Sequence, residues 1–205
     1  MRRIPLSRRS HITGFQALSV SRAVQHESAL ERDFVMLTTF LDAAAKIISQ
    51  PITIAFREGS APRRYTPDYL VHWSDGRSEL IEIKYRADLH ANWQQLRPAF
   101  ATARTWAREH QARFRIATER GIRCPMLLNA RRLLPLRTAP LDNGIADEVR
   151  AAVHSLSEPT FGELAAMLSR DRASVLGALW RMIARAELRT DLTVPLGFHT
   201  RVALP

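Results

Sequence analysis

Apolar residues first recur at helical spacing at Leu30, Phe34, Leu37 and Leu41, and this stripe predicts a helix over about residues 25–45. Ser28 and Glu31 stand at the S-x-x-E spacing of a capping box near its start. Before it, residues 1–24 are arginine-rich with scattered Ser, Ile and Leu, a pattern for a basic arm or a weak strand pair. After it, the β-branched run at 51–56 predicts a strand, 59–62 a loop, and 65–73 a second strand interrupted at Pro67. Asp75-Gly76 predicts a tight turn, because glycine tolerates positive φ, and 78–85 is the return strand. Residues 89–110 read as a helix with Trp93, Leu96, Phe100 and Ala103/Trp106 roughly on one face. Pro98 lies inside it and predicts a kink or a break. A short strand follows at 113–118, and Met126-Leu127-Leu128 opens either another strand or a helix. Turn residues cluster at 140–144 and suggest a domain boundary there. Beyond it, helical patterns cover 145–155, 161–168 and 173–185, with Thr160/Glu163 at capping-box spacing and Asp171 as a cap. Strand signals at 187–189, 192–195 and 199–204 complete three helices and a β-wing, the outline of a winged helix-turn-helix.

Composition narrows the function classes. The 205 residues are 46% hydrophobic and 24% charged, a globular balance, and the lone Cys124 excludes a disulfide scaffold. No apolar run reaches bilayer length and no signal peptide is evident, so the expected compartment is the cytoplasm, with no membrane partner. The formal net charge of +10 points to a polyanion, nucleic acid first. That charge is uneven. Residues 142–205 hold 7 Arg against 8 acids, whereas residues 86–123 hold 8 Arg against Asp88, Glu109 and Glu119. The polyanion is therefore expected on the first part of the chain. Of the 30 cations only Lys46 and Lys84 are lysine. The histidines, His72 and His90 among them, show no metal-ligand spacing, and Cys124 reads as a small buried apolar residue. There is no G-x-S-x-G, P-loop or dinucleotide glycine pattern, so the chain is not expected to bind ATP itself.

The chemistry concentrates on the predicted hairpin. Strand alternation puts Glu82 and Lys84 on one face and Ile81 and Ile83 on the other. Asp68 and Glu82 are equally distant from residue 75, which makes them approximate cross-strand neighbours. Two carboxylates so placed repel unless a cation lies between them, and hard oxygen donors select magnesium, with manganese able to substitute. A nearby lysine can position or deprotonate the attacking water and stabilise charge at phosphorus. Glu31, on the helix beside the sheet, can complete the ligand set directly or through water; Glu27, one turn earlier, is the competing acid. This is a constellation for phosphodiester hydrolysis.

The ordered set Glu27–Phe34, Gln50–Thr53, Tyr65-Thr66-Pro67-Asp68-Tyr69-Leu70, Asp75-Gly76-Arg77 and Leu80-Ile81-Glu82-Ile83-Lys84 resembles the PD-(D/E)xK nuclease superfamily, and within it the TnsA-type transposon endonucleases. The resemblance covers about residues 25–90. It implies an α/β, restriction-endonuclease-like mixed sheet flanked by helices over residues 1–140, followed by a small winged-helix-like domain over 141–205. It implies Glu31, Asp68 and Glu82 as metal ligands and Lys84 as the catalytic lysine. Some members carry glutamine where this chain has Glu82. It also implies cleavage of the five-prime strand of double-stranded DNA at transposon ends, beside a DDE-type transposase. An ATPase regulator would be engaged through the C-terminal domain. The alternatives are a solitary restriction or repair nuclease of the same fold, and a non-catalytic DNA-binding adaptor.

Overall fold

A computed structural model describes residues 14–19 and 22–205. Most of the predicted basic arm therefore lies outside the described residues. Its end forms an antiparallel pair, β1 (Gly14–Ser19) and β2 (Arg22–His26). Helix α1 spans Ala29–Leu41, shorter than the stripe suggested. Ser28 sets its start: the backbone there is extended, and its hydroxyl accepts from the Glu31 N–H.

The main sheet has the order β3-β6-β7-β8. Strands β3 (Lys46–Ser49), β6 (Tyr69–His72) and β7 (Ser78–Ile83) are antiparallel neighbours, and β8 (Arg113–Ala117) lies parallel to β7. A parallel neighbour needs a crossover, and helix α2 (Arg86–Glu109) supplies it. The sheet is thus mixed and carries helices, as expected. Strand β3 has no counterpart in the sequence reading. A separate two-stranded ribbon, β4 (Ile54–Glu58) and β5 (Ala61–Tyr65), stands where one strand and a loop were expected. Gly59, at φ +60°, makes its tight turn.

Alternation sorts the apolar residues into two layers. Tyr69, Val71, Ile81 and Ile83 pack with Leu30, Phe34 and Val35 of α1. Leu70, Leu80 and Phe114 face the other way and pack with Ala103, Trp106 and Ala107 of α2. Pro98 does not end α2, which runs through it as one helix. The proline removes a donor opposite the exposed Gln94, where water can meet the orphaned carbonyl.

The chain divides into two compact units at Arg123/Cys124, earlier than the turn cluster at 140–144. The reason is α4 (Pro125–Leu133), which follows the short α3 (Glu119–Ile122) and leads into a 3-10 turn at Leu134–Leu136. Buried Asn129 of α4 donates to the carbonyls of Leu192 and Val194 and accepts from the Leu196 N–H. These bonds tie α4 to the C-terminal residues. The rest of the second unit is α5 (Asn143–Leu156), α6 (Phe161–Met167) and α7 (Arg172–Ala184), capped by Asp142, by a full Thr160/Glu163 capping box and by Asp171. Its three helices fall where the periodicity put them. The expected wing strands do not form. Only single bridges join Arg189 to Ala203 and Thr160 to Arg201. Asn129 occupies the backbone groups of 192–196 that a wing strand would have needed.

Candidate active site

The β6–β7 register is the one that the turn predicts. Tyr69 pairs with Ile81 and His72 with Ser78, so the next positions outward are Asp68 and Glu82. Gly76 alone supplies positive φ in the turn, at +87°. Asp75 closes the loop by accepting from the Arg77 backbone N–H and its Nε. Asp68 lies just beyond the end of β6. Its Oδ2 accepts from the Ile83 N–H at 2.6 Å, which fixes the carboxyl against the end of β7. Its carbonyl accepts from the Gln50 N–H at 2.8 Å.

Glu82 is 3% exposed and holds two partners. Lys84 Nζ lies 2.9 Å from Oε1, and the Tyr65 hydroxyl donates to Oε2 at 2.6 Å. The two strand residues therefore share a face, and Ile81 and Ile83 enter the opposite core, as alternation requires. Tyr65 sits at the root of the ribbon and packs edge-on against Phe100, centroids 6.0 Å apart.

Glu31 serves first as a helix cap. Its Oε1 accepts from the Ser28 hydroxyl at 2.9 Å and its Oε2 from the Glu27 N–H at 2.8 Å. The Tyr69 hydroxyl, at 3.4 Å, points at the same Oε2. Glu27 accepts from the Gln50 side chain at 2.9 Å. Gln50 itself has a left-handed backbone, φ 45°, unusual for a residue with a side chain. Glu31 rises from the α1 side of the sheet and Glu82 lies on the α2 side, while Asp68, at the strand end, feels the charge of both. Among the described residues no three His, Cys, Asp or Glu side chains converge as a ready-made metal cage.

The electrostatics follow from this crowding. Burial, then the charges of Glu82 and Glu31, push the Asp68 carboxyl well above its ordinary pKa, against the Ile83 N–H and Lys84. For Lys84, burial disfavours the ammonium, but Glu82, Asp68 and Glu31 outweigh it and raise its pKa. Lys84 is therefore held as a positive charge beside Glu82, which suits positioning and charge stabilisation. Burial and the neighbouring carboxylates also raise Tyr65 and Tyr69, so both remain neutral hydrogen-bond donors.

These two tyrosines, which hydrogen-bond the candidate acids, were missed by sequence reasoning. The signal was present: Tyr65 and Tyr69 flank Thr66-Pro67-Asp68, and a buried tyrosine hydroxyl needs a partner. Cys124 is only half-buried.

A mixed sheet between helices, with Asp68 and the Glu82/Lys84 pair meeting at one end of a hairpin, defines a nuclease-like α/β domain. Residues 42–119 match the family described as TnsA-like endonuclease N terminal. The matched span contains Asp68, Glu82 and Lys84 and begins after Glu31. No curated protein matches the chain.

Proposed function

We propose that the chain is a divalent-metal-dependent DNA endonuclease. In this reading it cuts the five-prime strand at transposon ends, as one subunit of a heteromeric transposase whose DDE-type partner cuts the other strand. The observation that carries the reading is the meeting of Asp68, Glu82 and Lys84 at one hairpin end, inside the span that matches a TnsA-like endonuclease domain.

The donor set fits magnesium, with manganese as a substitute. Asp68 is driven to keep its proton first by burial and then by the charges of Glu82 and Glu31, and a hard cation relieves that crowding of negative charge. Magnesium commonly takes one or two carboxylates, several waters and a substrate phosphate, so it does not require a three-residue cage. Asp68 and Glu82 would hold it, with Glu31 contributing through water. Such an ion supplies Lewis-acid activation of water and neutralises charge at the phosphate. The protein's own part is positional. The Ile83 N–H orients Asp68, and Tyr65 together with Lys84 orients Glu82. The Lys84 ammonium stabilises negative charge developing on the phosphate oxygens.

The C-terminal unit fits protein docking, here of the ATPase regulator, better than DNA binding. Arg150, Arg170 and Arg185 are paired with acids, Arg181 donates to the Gly177 carbonyl, and Arg172 lies over the Phe198 ring.

The deciding experiment is a nicking assay on transposon-end duplex with magnesium, with and without the co-encoded transposase. Nicks confined to the five-prime strand at the element's ends support the proposal. Cleavage that ignores those ends points to a solitary nuclease, and binding without any nick points to an adaptor. Tyr65→Phe is expected to weaken metal activation of nicking by about tenfold to a hundredfold, since it orients a ligand without being one. The same variant loses about 1.5–3 kcal/mol of stability, because a buried carboxylate loses a donor. A magnesium titration of nicking and a urea unfolding curve measure the two effects.

A further inference from the structure

The β4–β5 ribbon has two unlike faces. Pairing of Ile54 with Tyr65 and of Phe56 with Arg63 places Ile54, Phe56 and Tyr65 on one side, where Ile54 and Tyr65 join the apolar layer under α2. Pairing of Ala55 with Arg64 and of Arg57 with Pro62 places Ala55, Arg57, Pro62 and Arg64 on the other. All four are exposed, and this face carries two guanidinium groups and no acid. Glu58, the ribbon's one carboxylate, lies on the opposite side and pairs with Arg63 at 3.1 Å. Arg57 gives one donor to the Ser60 carbonyl, and a guanidinium has five, so most of its capacity remains.

The ribbon is anchored at its root. Thr53 and Thr66 hydroxyls bond across it at 2.8 Å, and Tyr65, next to Arg64, reaches the buried Glu82. Asp68 follows three residues after Tyr65. A narrow ribbon, packed on α2 by one face and cationic on the other, thus starts beside the candidate reaction centre. A two-stranded ribbon of this kind fits the major groove of a duplex, and an arginine face without acids matches phosphate.

We infer that the outer face of the β4–β5 ribbon, through Arg57 and Arg64, is a contact surface for the backbone of double-stranded DNA and seats the duplex beside Asp68 and Glu82. This rests on the endonuclease reading of the site, and it adds the element that holds the substrate. The contacts go to phosphates, so they position the duplex and carry no sequence preference of their own.

The test measures binding of a fluorescein-labelled duplex by anisotropy across a salt series, for the wild-type full chain and for R57A/R64A. Both arginines are exposed on a surface ribbon, and a thermal melt confirms that the double variant is folded. The double variant is expected to bind duplexes of any sequence about tenfold or more weakly, with the slope of log affinity against log salt reduced by about 2, near 0.9 per lost phosphate contact. An unchanged slope and affinity in R57A/R64A overturns the ribbon assignment, whether or not the protein nicks DNA. A wild type that binds through the ribbon yet never nicks in magnesium leaves the ribbon assignment standing and removes the endonuclease reading. A wild type that does not bind duplex at all removes both.

Discussion

Lys84→Ala and Asp68→Asn are each expected to slow strand nicking by about a hundredfold to a thousandfold, a larger loss than any effect on duplex affinity. Neither side chain contributes much to holding the duplex if the ribbon does so, and both stand where charge develops. What separates these losses from simple misfolding is that the two variants move stability in opposite directions. Lys84→Ala strips Glu82, almost fully buried, of its cation and leaves only the Tyr65 hydroxyl. With Lys84 about one-third exposed, a loss of about 1–3 kcal/mol is expected. Asp68→Asn removes a carboxyl crowded by Glu82 and Glu31, while the amide oxygen can still accept from Ile83. It should gain about 1 kcal/mol at neutral pH without added metal. The pH dependence has a definite sign. The folded protein holds the Asp68 proton more tightly than the unfolded chain does. Stability contributed by this group is therefore present at low pH and falls as pH rises from the ordinary carboxylate range through the raised native value. Asp68→Asn flattens that decline. Urea midpoints over a pH series, beside single-turnover nicking, check both halves. If the two variants lost activity in proportion to lost stability, the catalytic assignment would fail.

Phe100→Ala is expected to cost about 3–5 kcal/mol. Phe100 is 1% exposed. Its ring packs against Phe114 at 5.6 Å, Tyr65 at 6.0 Å and Trp93 at 6.2 Å between centroids. It therefore joins α2 to the sheet and to the ribbon root together. Truncation opens a cavity beneath Tyr65 and frees the side chain that orients Glu82. Phe100→Leu keeps most of the volume and is expected to cost under about 1.5 kcal/mol. Denaturant unfolding followed by tryptophan fluorescence gives the stabilities. Nicking measured well below the unfolding transition shows whether the Tyr65–Glu82 bond was loosened too.

Much of this arrangement was legible in the sequence, because the relevant signals are local. A tight turn with Gly76 fixes a hairpin register by counting, and that register set Asp68 opposite Glu82. Period-2 and period-3.6 patterns gave α1, the hairpin, α2, β8 and the three helices of the second unit. What stayed hidden depends on distant partners. Strand β3 follows a helix directly, and only its pairing with β6 makes it a strand. Pro62 argued for a loop, yet an edge strand of an exposed ribbon tolerates a missing donor. The wing was lost to Asn129, more than sixty positions away, whose amide satisfies the backbone of 192–196. Glu31 shows the limit in another way. One spacing served both a capping box and a proposed ligand, and the structure shows the capping bonds made. The Tyr65 hydroxyl on Glu82 joins residues of two different sheets, so neither strand's own pattern contains it.

The division at Arg123 also sets where this polypeptide can be cut and rejoined. A hybrid that exchanges the carboxy-terminal module at residue 140 would leave Asn129 behind, and 192–196 would lose its hydrogen-bond partner. The natural seam lies between Arg123 and Cys124, so the transferable cassette begins with the helix that Pro125 initiates.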